Sequence, residues 1–183
     1  MARRKPIRHL MVNTNGLRIA REREFARRLG EYRPGFEVYL QFDSFEESAL
    51  RSLRGADLRE ERRRAIDHLN EFDISTTLVV TLQQGLNTHE IGKIVDYALK
   101  QPCVRGVTFQ PTQIAGRLTN FDPAKDRITP AAVRQAILTQ TDVFTPDDLV
   151  PVPCNPDAIT MADRKSTRLN SSHEWISRMP SSA

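Results

Sequence analysis

The sequence is poor in cysteine, with only Cys103 and Cys154 among its 183 residues. Two thiols exclude the disulfide framework of a small secreted domain, so a reducing, cytoplasmic location is expected. They also fall short of the three or four thiolates that hold an iron–sulfur cluster. Cys103 opens a strand-like segment and is interpreted as a small core residue. Cys154 lies between prolines, and two interpretations stay open: a buried thiol, or a metal ligand whose partners lie elsewhere.

Long apolar runs, a strong charge excess and nucleotide-binding motifs are also missing. No stretch approaches the roughly 18 apolar residues that span a bilayer, so no transmembrane segment is predicted. The basic start of the chain is followed by too short an apolar stretch for a signal peptide. A net charge of +4 is small for this length, so nucleic acid is not an expected partner. Neither a Walker motif nor a G-x-G-x-x-G loop nor a metal-spaced cluster is present.

Residues 163–183 differ in character from the chain before them, being polar and without apolar periodicity. Two pieces, DRKSTRLNSSH and SRMPSSA, resemble the translation of a short-read sequencing adapter on either side of its index barcode. We therefore interpret residues 163–183 as a non-native, disordered tail and exclude them from the fold. Without the tail the small excess of basic residues falls further.

The rest of the chain alternates strand-like and helix-like segments. Mostly apolar segments, typical of parallel strands covered on both faces, predict strands at 7–12, 36–42, 76–82 and 104–110. Apolar residues at helical spacing predict helices at 19–32, 44–55, 57–69 and 87–99, and after Thr129 and Thr145. The expected N-terminal caps are Ser44 with Glu47 as a capping box, Asn87 or Thr88, Thr129 and Thr145. Residues 150–157 contain too much proline for regular structure.

The order β-α-β-α-β-α-β-α, with strand starts roughly 30–40 residues apart, is typical of βαβ repeats. Closing a (β/α) barrel takes about eight strands. The predicted fold is therefore α/β, a partial (β/α) TIM-type barrel of about four parallel strands with helices. We assign residues 1–149 to this partial barrel and residues 150–162 to the start of a C-terminal extension.

Polar residues follow every predicted strand at its carboxyl end, where ligands of parallel α/β folds bind. Gln41 and Gln110 are the most informative of them, because a long amide at a strand end needs hydrogen-bond partners that a core seldom provides. The alternative is that these ends are polar because loops are. No nucleophile–base pair is present. The arginines of the second predicted helix are interpreted as a solvated face: Arg59, Arg62, Arg63 and Arg64.

Taken in order, the strand ends resemble the motifs of the radical SAM superfamily, in which SAM is S-adenosylmethionine. Asn13-Thr-Asn-Gly16 resembles the T-N-G element of the third core strand, and Val38–Asp43 resembles the fourth strand. Gly85-Leu-Asn87 with Glu90-Ile91 resembles the G-x-N-x-x-E-I turn after the fifth. One branch of the superfamily resembles this sequence more closely, and it includes hydroxymethylpterin dimethyltransferases and tetraether lipid synthases. The segments that carry this resemblance are NTNGLRIA, VYLQFDS, LRGADLR, TLVVTL, RGVTFQP and VPVPC.

The resemblance implies a parent enzyme that uses SAM, a 4Fe–4S cluster and an electron donor. Its substrate would be a small pterin-like molecule or a lipid, and its chemistry methylation or carbon–carbon coupling. By position, Thr14 lies beside SAM, and Gln41 and Asp43 lie near its ribose or methionyl group. The cofactor-binding residues so predicted are Thr14, Asn15, Gln41, Asp43 and Gln110, and Cys154 is the predicted ligand of an auxiliary iron centre.

The sequence departs from the family pattern because it contains neither the C-x-x-x-C-x-x-C cluster motif nor the G-G-E element expected ahead of Asn13. We therefore expect a fragment of a radical SAM enzyme, cut upstream, that is inactive and holds neither cofactor. Two alternatives stay open. One is a non-catalytic α/β binding or partner module, and the other is an unrelated barrel or nucleotide-binding fold with coincidental strand ends.

Overall fold

The computed structural model describes residues 7–112, 122–152 and 160–162; Cys154 and the tail interpreted as adapter lie outside them. The strands are β1 (Leu10–Thr14), β2 (Phe36–Gln41), β3 (Thr76–Leu82), β4 (Val104–Pro111), β5 (Leu149–Pro151) and β6 (Thr160–Ala162). The helices are α1 (Leu17–Arg21), α2 (Arg23–Gly30), α3 (Glu47–Arg54), α4 (Arg59–Glu71), α5 (Ile91–Lys100), α6 (Pro123–Asp126) and α7 (Pro130–Gln140). Short 3₁₀ turns cover Thr88–Glu90 and Pro146–Asp148.

Strands β1 to β4 form one sheet in sequence order, and all three neighbouring pairs are parallel. Helices connect each strand to the next, as parallel pairing requires. This architecture confirms the predicted α/β class with four parallel strands and is consistent with a partial TIM-type barrel. None of the helices in the described segments is long and apolar enough to cross a membrane.

One side of the sheet packs against the helices and forms the core. Alternate residues of a strand point to opposite sides, so each central strand contributes every second side chain. The buried strand residues on this side are Val38, Leu40, Leu78, Val80 and Leu82, and they cluster with helix residues Ile19, Ala65, Ile66, Leu69, Ile91 and Ile94. Full burial of such side chains contributes about 1.5–3 kcal/mol each, which makes this layer the main stabilising element.

The other side of the sheet, called the inner face below, carries mostly polar residues. Parallel pairing places Gln41 in one row with Val79 and Thr108. The next row toward the carboxyl ends pairs Thr81 with Gln110. Because residues in register share a side of the sheet, the polar strand ends face the same space.

Two predicted elements differ from those observed. The helix predicted over 19–32 is two helices, because the backbone at Glu22 (φ −117°, ψ 88°) is not helical and its carbonyl accepts the first hydrogen bond of α2, from Phe25 N at 2.9 Å. The sequence predicts irregular structure over residues 150–157, yet Val150 and Pro151 belong to β5, which pairs antiparallel with β6; residues 153–157 lie outside the described segments. Proline is tolerated there because a two-stranded ribbon consists of edge strands.

The predicted caps form where the side-chain partner lies nearby in the sequence, and they do not form where it lies in another element. Thr129 accepts a hydrogen bond from Ala132 N at 3.2 Å, as predicted for a helix cap. Thr145 is a cap as predicted, through a reciprocal capping box with Asp148, but the helix predicted after it is only the 3₁₀ turn Pro146–Asp148. The capping box of Ser44 with Glu47 is wrong, because α3 is preceded by Glu46 and has no side-chain cap. Asn87 likewise caps no helix with its side chain. Both of those side chains instead bind residues of other elements, as described next.

Candidate cofactor site at the strand ends

The carboxyl ends of β2, β3 and β4 bring three polar side chains to the inner face: Gln41, Thr81 and Gln110. Gln41 is the last residue of β2 and is half-buried, whereas Gln110 is exposed near the end of β4. Thr81 lies between them on β3 and is paired in register with Gln110. The predicted convergence of strand ends is therefore present at these positions, with two amide groups accessible to a ligand.

The end of β1 uses its polar side chains differently. The Thr14 hydroxyl accepts a hydrogen bond from Gly16 N at 3.1 Å, and the Asn15 amide oxygen accepts one from Leu17 N at 3.2 Å. Thr14 pairs in register with Leu40, which places it on the core side of the sheet. Both side chains thus shape the turn into α1, as Asx and related turns do.

Asp43 follows β2 with a left-handed backbone (φ 67°), and its side chain is fully buried. Arg54 clamps the carboxylate with two hydrogen bonds of 2.8 Å each, and Thr81 N donates a third at 3.1 Å. The hydrogen bonds to Asp43 raise the pKa of Arg54 above its ordinary value. Asp43 therefore lies with the carboxyl ends of β1 to β4, called the rim below, and its oxygens are already bound by protein groups.

Arg62 corrects the interpretation of the arginine run as a solvated face. Its side chain is 3% exposed, whereas that of Arg63 is 61% exposed. The Arg62 guanidinium donates to the carbonyls of Asn15 and, at 3.4 Å, Phe42. Burial lowers the pKa of Arg62, because it disfavours the charged form. A run of arginines carries no periodicity that distinguishes the member that turns inward.

The loop after β2 is held by the turn after β3. Glu90 is buried and accepts hydrogen bonds from the Ser44 hydroxyl and, at 3.2 Å, from Phe45 N. The Asn87 amide donates to the carbonyls of Asp43 (3.0 Å) and Thr81 (2.8 Å). Local patterns predict caps at Ser44 and Asn87, and only the G-x-N-x-x-E-I spacing relates Asn87 to Glu90.

The residues of this chain do not fit a 4Fe–4S cluster, which takes three or four cysteine thiolates. The full sequence has two cysteines, and Cys103 is completely buried in the core, as predicted. Burial raises the pKa of the Cys103 thiol to about 11, so the thiolate that a metal requires is strongly disfavoured. Within the three described segments, no group of three or more His, Cys, Asp or Glu residues could hold a metal ion.

Comparison with known proteins places this arrangement in a family. A sequence profile described as Radical SAM superfamily matches residues 1–98, which is more than half of the chain, so the chain belongs to that superfamily. The motif resemblance is thereby confirmed, and the alternative of an unrelated fold is wrong. Members of this superfamily use SAM together with a 4Fe–4S cluster.

A particular relative is similar over most of the chain. The 7,8-dihydro-6-hydroxymethylpterin dimethyltransferase of Methanocaldococcus jannaschii is 33% identical over 158 residues. The alignment covers 84% of this chain and 30% of the relative. The chain thus spans less than a third of the length of this curated relative. The similarity supports the branch that includes hydroxymethylpterin dimethyltransferases.

Proposed function

We propose that this chain supplies a SAM-facing part of a radical SAM enzyme that methylates a pterin-like molecule. One observation carries the proposal: Gln41, Thr81 and Gln110 lie at the carboxyl ends of neighbouring parallel strands, on the side away from the core. Ligands of parallel α/β proteins bind at such ends. The function named for the archaeal relative supports a pterin-like substrate over a lipid, and methylation over carbon–carbon coupling.

In this proposal the five predicted cofactor-binding residues act in two ways. Gln41 and Gln110 offer amide donors and acceptors to the polar groups of SAM. Thr14, Asn15 and Asp43 have side-chain oxygens engaged in turns or in the ion pair with Arg54, so they shape the rim from behind. Cys154 stays a proposed ligand of an auxiliary iron centre in the parent enzyme, where an electron donor is also proposed.

The same proposal has this chain binding SAM without cleaving it, and so revises the expectation that the chain holds neither cofactor, because two strand-end amides, Gln41 and Gln110, are accessible. Two cysteines, one of them a buried thiol with a raised pKa, are too few for the catalytic cluster. We therefore assign no step of the radical reaction to this chain. Its own residues bind and orient the cofactor, and they do not supply the electron that begins the chemistry.

Titration calorimetry with SAM tests the binding half of the proposal. Gln41→Ala is expected to weaken SAM binding about tenfold, because one hydrogen bond to a polar ligand is worth about 1–1.5 kcal/mol. Gln135→Ala is the matched control, since Gln135 is an exposed glutamine on α7, a helix that contributes none of the predicted cofactor-binding residues. No detectable binding by the wild-type chain, or equal losses in both variants, would contradict the proposal.

Anaerobic reconstitution with iron and sulfide tests the second half. We expect the reconstituted chain, reduced with dithionite, to give no electron paramagnetic resonance signal of a 4Fe–4S cluster. A signal that changes when SAM is added would overturn the proposal, because it would place a SAM-binding cluster on a chain with two cysteines.

A further inference from the structure

We propose that Arg62 is a positioning residue that fixes the ends of β1, β2 and β3 relative to one another and so sets the shape of the SAM-binding rim. The effect on SAM rests on the proposed function. The fixing of the strand ends rests on contacts within the described residues alone.

The Arg62 guanidinium contacts the ends of two strands directly and is connected to a third through Asp43. Arg62 donates to the carbonyl of Asn15, directly after β1, and to the carbonyl of Phe42, directly after β2, at 3.4 Å. Its Nη2 lies 3.7 Å from the Asp43 carboxylate. Asp43 extends the connection to β3, because it accepts a hydrogen bond from Thr81 N at 3.1 Å.

The energetics indicate that Arg62 is not there for burial alone. Moving a charged group out of water costs several kcal/mol, and an apolar side chain would fill the same space at less cost. The ion pair with Asp43 is incomplete: among the described residues Nη2 has no hydrogen-bond partner, while Arg54 holds both oxygens of the carboxylate at 2.8 Å. What the guanidinium does complete is a link between two strand ends: it donates to the Asn15 carbonyl, and it shares the Phe42 carbonyl with Ser44 N, which donates at 2.9 Å.

The position of these carbonyls connects Arg62 to the rim. Asn15 and Phe42 lie within two residues of Thr14, Gln41 and Asp43, which are three of the predicted cofactor-binding residues. Binding groups must be held to within about 0.5 Å of their productive positions. A planar guanidinium fixed at several points from α4 meets that requirement better than loops held only by their own turns.

Hydrogen exchange on the wild-type chain and on Arg62→Met provides the test, with Arg63→Met as the matched control on the same helix. Exchange at the Thr81 amide reports the rim, because that amide is bonded to Asp43. Exchange at the Val38 amide, bonded to Ser75 at 2.9 Å, reports the middle of the sheet. We expect Arg62→Met to speed exchange at Thr81 about tenfold and at Val38 less than twofold, as the loss of one or two local hydrogen bonds would. SAM affinity should fall by a similar factor, and Arg63→Met should change neither.

Arg62→Lys keeps the test decisive if Arg62→Met fails to fold. Lysine retains the charge but presents a single ammonium in place of the planar fork, so we expect partial loss of Thr81 protection and of SAM affinity. Equal acceleration at Thr81 and Val38, or a lysine variant that matches wild type in both measurements, overturns the positioning role. A wild-type chain that binds no SAM, but whose variants still loosen Thr81 selectively, overturns the proposed function and leaves the fixing of the strand ends intact.

Discussion

At the scale of single residues, the turn after β1 requires a glycine at position 16, because a side chain there has no room. Its φ of 77° lies in the left-handed region, and an added Cβ would stand 2.4 Å from Leu40 Cδ1 in the core. Gly55, which ends α3, has nearly the same φ of 78° but nothing within 4 Å of an added Cβ. The two glycines therefore share backbone strain and differ in the space around them.

Gly16→Ala is expected to destabilise the chain more than Gly55→Ala. A left-handed backbone costs an alanine about 1–2 kcal/mol at either position. Crowding of the fully buried Leu40 adds about 1 kcal/mol or more at Gly16 only. Urea unfolding of both variants measures the difference in free energy of unfolding. Equal losses at the two positions would show that Leu40 yields without cost.

At the scale of elements, α7 packs closely against the start of α5. An added Cβ on Gly92 would stand 2.2 Å from the carbonyl oxygen of Gln140, which ends α7. The same pair of elements is joined by Gln140, whose side chain accepts a hydrogen bond from Gly92 N at 3.0 Å and donates one to Thr88 O at 2.9 Å. Position 92 thus requires glycine, because the backbone of α5 there lies close to the backbone at the end of α7.

Gly92→Ala is expected to lower the free energy of unfolding by about 1–3 kcal/mol, because the backbone of α7 must move away. The control is Gly30→Ala at the end of α2, where the nearest atom to an added Cβ is Phe72 Cβ at 3.5 Å, an ordinary contact. That control should be neutral or stabilising by up to about 1 kcal/mol through helix propensity. Denaturant unfolding compares the two, and an unchanged Gly92→Ala would contradict the close packing of α5 and α7.

Elements with local signals could be predicted, and cross-chain contacts could not. The strands followed from continuous apolar runs, and the caps at Thr129 and Thr145 from a threonine directly before a proline. Ser44 looked like a cap because Glu47 lies three residues on, yet the carboxylate that binds it is that of Glu90, on the far side of β3. For the candidate site, the strand ends were predicted from parallel pairing. The arginines that hold Asp43 come from α3 and α4, and no local pattern relates them to it.

At the scale of the whole molecule, the described residues leave both edges of the sheet unpaired, at β1 and at β4, and exposed large apolar side chains lie at the β1 edge. In these segments β1 pairs only with β2, so the other edge of β1 carries free backbone donors and acceptors. Apolar side chains accompany that edge, since Met11 is 51% exposed and Val12 is 37% exposed. An open edge of this kind favours pairing with a strand of another molecule.

We therefore expect the chain to self-associate through β1 and Met11→Lys to weaken that association about tenfold or more. A lysine on an edge strand opposes pairing, because a second strand would bury its charge. Leu99→Lys is the matched control: Leu99 is 61% exposed, but it lies on the surface of α5. Sedimentation velocity over a range of concentrations measures the association constant of each variant. If both substitutions reduce association equally, general surface hydrophobicity drives it, and the edge of β1 has no special part.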